Sequence, residues 1–165
     1  MRSGTGALIA LVALAVASSE ISSAQTRDPR IGHWVQQRGP GSAGLHVTYE
    51  DLGDGRFRYT MGAHYEPVNQ QIVEGKCDGV TYPFLDGNGT PSGNTLSCRV
   101  TGPLTVEYLY TQGDKTAWAT STGVEAVSPD GNTLTWDATH RDKDGRVVEE
   151  LRSQFSRRDD ESRAN

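Results

Sequence analysis

The sequence predicts an all-β chain: a single antiparallel up-and-down barrel of about eight to nine short strands. Three observations carry that expectation. Apolar and polar residues alternate with period two along most of the 165-residue chain, the pattern of strands with one buried and one wet face. Asp-Gly pairs at Asp78-Gly79, Asp130-Gly131 and Asp144-Gly145 punctuate the pattern, and Asp-Gly supplies the positive φ that tight hairpins demand. No segment after the N-terminal stretch carries a helical period. A meander of this length must manage its edges, and closure into a barrel does so with short turns; a two-sheet sandwich would need longer crossovers.

Taken in order, Met1–Ala24 reads as an export signal. Arg2 is the positive region, "ALIALVALAVA" the apolar core, and Ser22-Ser23-Ala24 a small-residue cleavage site before Gln25. The apolar core is too short for a bilayer-spanning helix, which needs ~20 residues. The barrel is expected over residues 25–156, with a charged, disordered tail over 157–165. Thr26–Arg30 reads as a polar lead-in. "IGHWV" is the first strand and Gln37–Gly44 a loop. "LHVTYEDL" and "RFRYTMGAH" form a hairpin about Gly53-Asp54-Gly55, with Leu45, Val47 and Tyr49 on one face and Phe57, Tyr59, Met61 and Ala63 on the corresponding face.

"QQIVEGKC" is a weaker strand and "VTYPF" a short one, in which Pro83 suits a strand end or an edge. Leu85–Asn94 is a long turn cluster. "TLSCRV" and "LTVEYLYT" follow as two strands. Thr116–Ser156 is then a three-stranded meander. Leu134, Trp136 and Ala138 alternate with polar residues in its middle strand, and Val147, Leu151 and Phe155 share one face of its last.

The formal net charge is −5. An acidic balance argues against a nucleic-acid partner and an anionic membrane surface, both of which call for clustered Lys and Arg. It reads as ordinary solubility, and a monomer is expected. No membrane span is expected once the signal is removed.

Gly32-His33-Trp34, Tyr49-Glu50, Gly53-Asp54-Gly55, Asp78-Gly79 with Tyr82-Pro83, "SPDGNTLTW" and "DKDG" together resemble a family of small exported bacterial proteins that are lipocalin-like and mostly uncharacterised. The resemblance covers nearly the whole chain after the signal. It implies a lipocalin-like barrel and a periplasmic or secreted location, and no reaction. In the wider lipocalin-like superfamily a Gly-x-Trp on the first strand is covered by an arginine from the end of the last. By that resemblance Trp34 would be covered by Arg157.

Cys77 and Cys98 are the only cysteines, and in an exported protein a disulfide is the leading reading. A metal site would want His or Cys close by, and neither cysteine has one within four residues. No metal or other cofactor is expected. His33, His46, His64 and His140 form no ligand-spaced pair, and His46 and His64 fall on the polar parity of their hairpin. No serine sits in a nucleophile elbow. Glu149 shares the inward parity of Val147 and Leu151, but lies near the Asp144-Gly145 turn, which suggests a barrel mouth. "DKDG" lacks the later ligands of a calcium loop and reads as a turn. The sequon Asn88-Gly89-Thr90 reads as a turn as well.

The aromatic residues are more informative. Tyr59, Tyr108, Tyr110 and Trp136 carry the inward parity of their strands, with Met61 beside them. Ala63, Ala117, Ala119 and Ala138 are small at facing positions, so the rings need not fill the interior. Tyr59, Met61, Tyr108, Tyr110 and Trp136 are therefore the candidate ligand-binding residues, and the leading expectation is an exported carrier or scavenger of a small, partly apolar molecule. The first alternative is an interaction protein with a filled barrel, using its surface or the Leu85–Asn94 stretch. An isomerase-type cavity enzyme ranks last, because no acid–base or nucleophile set stands out and no catalytic residue is assigned.

Overall fold

The computed structural model describes residues 28–39, 44–63, 70–113 and 118–158. Ten strands follow one another: β1 (Gly32–Arg38), β2 (Leu45–Gly53), β3 (Arg56–Ala63), β4 (Gln71–Lys76), β5 (Asp78–Asp86), β6 (Pro91–Gly102), β7 (Thr105–Thr111), β8 (Thr120–Val127), β9 (Thr133–Arg141) and β10 (Val147–Arg158). Each pairs antiparallel with its neighbours in sequence, and β1 closes the barrel against β10. No helix among the described residues is long and apolar enough to cross a membrane.

Ten strands replace the expected eight to nine. The weakest patterns, β4 and β5, are both members of the barrel. In β4 the inward position after Val73 is Gly75, which gives no apolar signal. A side chain there would collide with the ring of Tyr82, which lies against Gly75. Pro83 lies inside β5, opposite Thr95 of β6, and not at a strand end. The ladder between β4 and β5 extends only over Gln71↔Asp86 and Ile72↔Leu85, so at Pro83 no bond to β4 is lost for want of an N–H.

Other boundaries also shift. Most of Leu85–Asn94 is strand, with only residues 87–90 between β5 and β6. The last strand runs past Ser156 to Arg158. A register shift between Val147 and Glu149 takes Val147 off the inward face, and it is about half exposed. Residues 1–24, Pro40–Ala43, His64, Ala117 and the tail beyond Arg158 lie outside the described residues, as does the side chain of Ala63.

The interior divides along the barrel axis. At the end bearing the β2–β3, β6–β7 and β8–β9 turns it is packed solid by Trp34, Val47, Phe57, Val106, Leu134 and Phe155, all 2% exposed or less. Trp34 pairs with Val47 on one side and Arg157 on the other, and the Arg157 guanidinium lies 4.2 Å over its ring. That guanidinium also donates to the carbonyls of Ile31 at 2.7 Å and Gly131 at 2.5 Å. Gly32 makes room for it: its φ is +146°, and a Cβ there would strike the Arg157 head group.

Candidate functional site

Towards the opposite end, where β7 runs into β8 and β9 into β10, the interior opens into a cavity of about 250 Å³. Alternation along the strands decides what lines it. β3 contributes Tyr59 and Met61, β7 contributes Tyr108 and Tyr110, and β9 contributes Trp136 and Ala138. All five residues singled out by inward parity thus meet around one space, although they come from three strands well apart in sequence. Ala138 leaves the room a larger side chain would take.

The rings are in mutual contact. Tyr59 meets Phe84 edge-on at 5.9 Å, Phe84 meets Tyr110 at 5.3 Å, and Tyr110 meets Trp118 at 5.6 Å. Trp118 stacks on His140 at 4.1 Å. The result is a continuous aromatic wall reaching the mouth, where His140 Nδ1 lies 3.2 Å from Glu149. Glu149 is about half exposed there, a mouth position.

Polar groups are few and spaced. The Tyr110 hydroxyl donates to Gln71 Oε1 at 3.1 Å. Gln36 donates to Ser153 at 3.5 Å. The indole N–H of Trp136 is buried and finds no acceptor among the described residues. Leaving a buried donor unsatisfied costs about 1–3 kcal/mol. Burial pushes the Tyr108 hydroxyl up to about 12, against an opposing hydrogen bond from Ser121, and burial likewise raises Tyr110. Both hydroxyls therefore stay protonated through the physiological range.

The floor of the cavity is ionic. Glu125 of β8 points inward, accepting from Arg30 Nη1 at 2.5 Å and from the Tyr49 hydroxyl at 2.9 Å. Asp28 holds the other side of Arg30 at 2.8 Å. Arg30 also lies 4.5 Å over the Tyr49 ring and donates to Cys77 Sγ at 2.9 Å. Burial pulls the Arg30 guanidinium down, but Glu125, Tyr49 and Asp28 outweigh it and hold it well above its ordinary value. Tyr49 and Tyr59 are driven far up, chiefly by burial and then by the Glu125 charge. Cys77 and Cys98 are bonded, tying the β4–β5 corner to β6 beside this cluster.

Sequence reasoning missed much of this. Arg30, placed in a polar lead-in, is 1% exposed. It lies outside any strand, so no periodicity marks it. Glu125 had a readable signal: it shares the parity of Ser121 and Val127 and is a charge on an inward face. Trp118 lines the cavity, although strand parity assigns the inward positions to the flanking Ala117 and Ala119; β8 begins only at Thr120, so that parity does not govern Trp118. Inward Gln71 and His140 were concealed by their polarity. His33 and His46 lie outside the cavity lining and contact each other across β1 and β2, Nε2 to Nδ1 at 3.1 Å.

No family model and no curated protein matches this sequence. Solved structures do. Fatty-acid-binding protein 1 of Echinococcus granulosus matches with a TM-score of 0.52 at 11% identity, over 79% of this chain and 97% of its own. A point mutant of the fluorescent protein UnaG matches with a TM-score of 0.53 at 11% identity, over 79% of this chain and 96% of its own. At such identities the likeness is one of fold: a closed antiparallel β-barrel.

Proposed function

We propose that this protein is an exported carrier or scavenger that holds one small, partly apolar molecule inside its barrel. The observation that carries the reading is the cavity of about 250 Å³ behind an aromatic wall. An apolar cavity of about 150 Å³ accepts a benzene ring, so this one has room for a molecule of about two rings. Preformed, largely apolar sites with a few placed polar groups are the usual form of small-molecule pockets. A fatty-acid-binding protein among the structural neighbours supports a binding role for this architecture.

Export is supported by the Met1–Ala24 segment and by the Cys77–Cys98 bond, which suits an oxidising compartment. The resemblance to exported lipocalin-like bacterial proteins points the same way. The test is native mass spectrometry of protein taken from the extracytoplasmic fraction of its own host. The chain is expected to begin at Gln25 and to carry a co-purifying small molecule. Ala138→Leu, which fills the cavity from β9, is expected to lose that molecule and keep the fold. A full-length cytoplasmic product rejects export. A ligand retained by the filled variant rejects the interior site.

A further inference from the structure

We infer that the cavity takes an uncharged, flat molecule of about two rings carrying a hydrogen-bond acceptor, and that it discriminates against both fatty-acid-like anions and amines. The inference rests on the carrier reading and narrows it to one class of ligand.

Charge decides first. No lysine or arginine lines the cavity among the described residues. The Arg30 guanidinium, in contact with the lining residues Glu125 and Tyr49, is already held by Asp28 and Glu125, two carboxylates against one cation. A ligand carboxylate would meet, among the described lining residues, Glu125 and no lysine or arginine to pair with. Burying an unpaired charge is among the costliest steps in recognition. A cation fares no better. Glu125 is the only acid among the described lining residues, and its two oxygens are taken by Arg30 and Tyr49. The raised tyrosines add hydroxyls and no negative charge.

Shape and polarity decide next. The wall of Phe84, Tyr110, Trp118 and His140 is a run of rings in contact with one another along the lining, which suits a flat aromatic guest. Trp136 lines the space and its N–H, buried behind the ring surface, has no acceptor among the described residues, so a ligand carbonyl or ether oxygen toward which the indole turns gains a bond otherwise unmade. A fully apolar guest of the same shape leaves that donor unpaired.

Three probes of matched shape separate these statements by equilibrium dialysis: 2-acetylnaphthalene, 2-naphthoate and 2-naphthylmethylammonium. The measurement is made at about pH 8, above the ordinary range of histidine titration. The neutral ketone is expected to bind at least about tenfold tighter than either ion. Equal or tighter binding of an ion overturns the inference and leaves the carrier reading standing. Binding of none of the three overturns the inference, while the carrier reading stands or falls with the co-purifying molecule. In Trp136→Phe, which keeps the aromatic body and removes the N–H, affinity for 2-acetylnaphthalene is expected to fall about five- to tenfold while naphthalene is unaffected. Equal effects on the two overturn the assignment of the acceptor to Trp136.

Discussion

Arg30 and Glu125 are 95 residues apart in the chain, and their side chains meet inside the barrel at 2.5 Å. The exposures of the two side chains are 1% and 8%, so the pair is shielded from water. It joins the segment before β1 to β8, three strands around the barrel, and it carries Tyr49 on the same carboxylate.

Breaking such a pair leaves a buried charge short of its partner. Glu125→Gln is therefore expected to cost about 3–5 kcal/mol in urea unfolding. The double variant Arg30→Met/Glu125→Leu is expected to recover a large part of that, because two apolar groups avoid the desolvation the ions undergo. A loss below about 1 kcal/mol for the single variant would place the pair with solvent-screened surface bridges.

Trp34 and Arg157 close the packed end. Trp34→Ala removes a fully buried indole and is expected to cost about 3–5 kcal/mol. Arg157→Ala removes the stacked guanidinium and its two bonds to the carbonyls of Ile31 and Gly131, and its cost is expected to be smaller but measurable. An unchanged melting temperature for Arg157→Ala would mean that the closure is held by the β1–β10 ladder alone.

Stability is expected to fall steeply in alkali. The hydroxyl of Tyr108 titrates at about 12 in the folded chain against an ordinary 10.0. A folded-state value above the unfolded one means that the native state holds its proton more tightly. The contribution is thus complete below pH 10 and is lost as pH climbs through about 12, with Tyr110 raised in the same direction. For Tyr108 this amounts to ~2–3 kcal/mol, at 1.36 kcal/mol per unit. Tyr108→Phe should flatten that part of the stability curve measured by denaturant titration. A wild-type curve that stays level across this range would show that the hydroxyl is open to water.

The disulfide spans 21 positions. Constraining a loop of that size in the unfolded chain stabilises the fold by ~3 kcal/mol. Cys98→Ser should lower the melting temperature accordingly, and thiol titration of the unfolded, unreduced protein should find no free thiol. Two titratable thiols would contradict the bond.

Much of the barrel was legible because strand alternation is a local property. A residue's parity depends only on its neighbours, so Tyr59, Met61, Tyr108, Tyr110 and Trp136 could be assigned to the inside without knowing which strands pair. The Asp-Gly turns at Asp130-Gly131 and Asp144-Gly145 were legible for the same reason, since their φ values of 75° and 80° are a demand of the turn itself. Where alternation is interrupted the reading lapsed. Gly75 and Pro83 blurred β4 and β5, and the bulge between Val147 and Glu149 changed which face Val147 shows.

The sequence by itself thus determined that the described part of the chain is antiparallel β, which side of most strands faces inward, and that small and aromatic residues share that side. Only the tertiary structure decided that the interior is half packed and half open, that Arg30 leaves the solvent to meet Glu125 and Asp28, and that Trp118 and His140 extend the aromatic wall to the mouth. The physical reason is range. Parity is set by the pleat of a single strand, whereas a cavity or a buried ion pair is the sum of side chains brought together by barrel closure from positions the pleat does not relate.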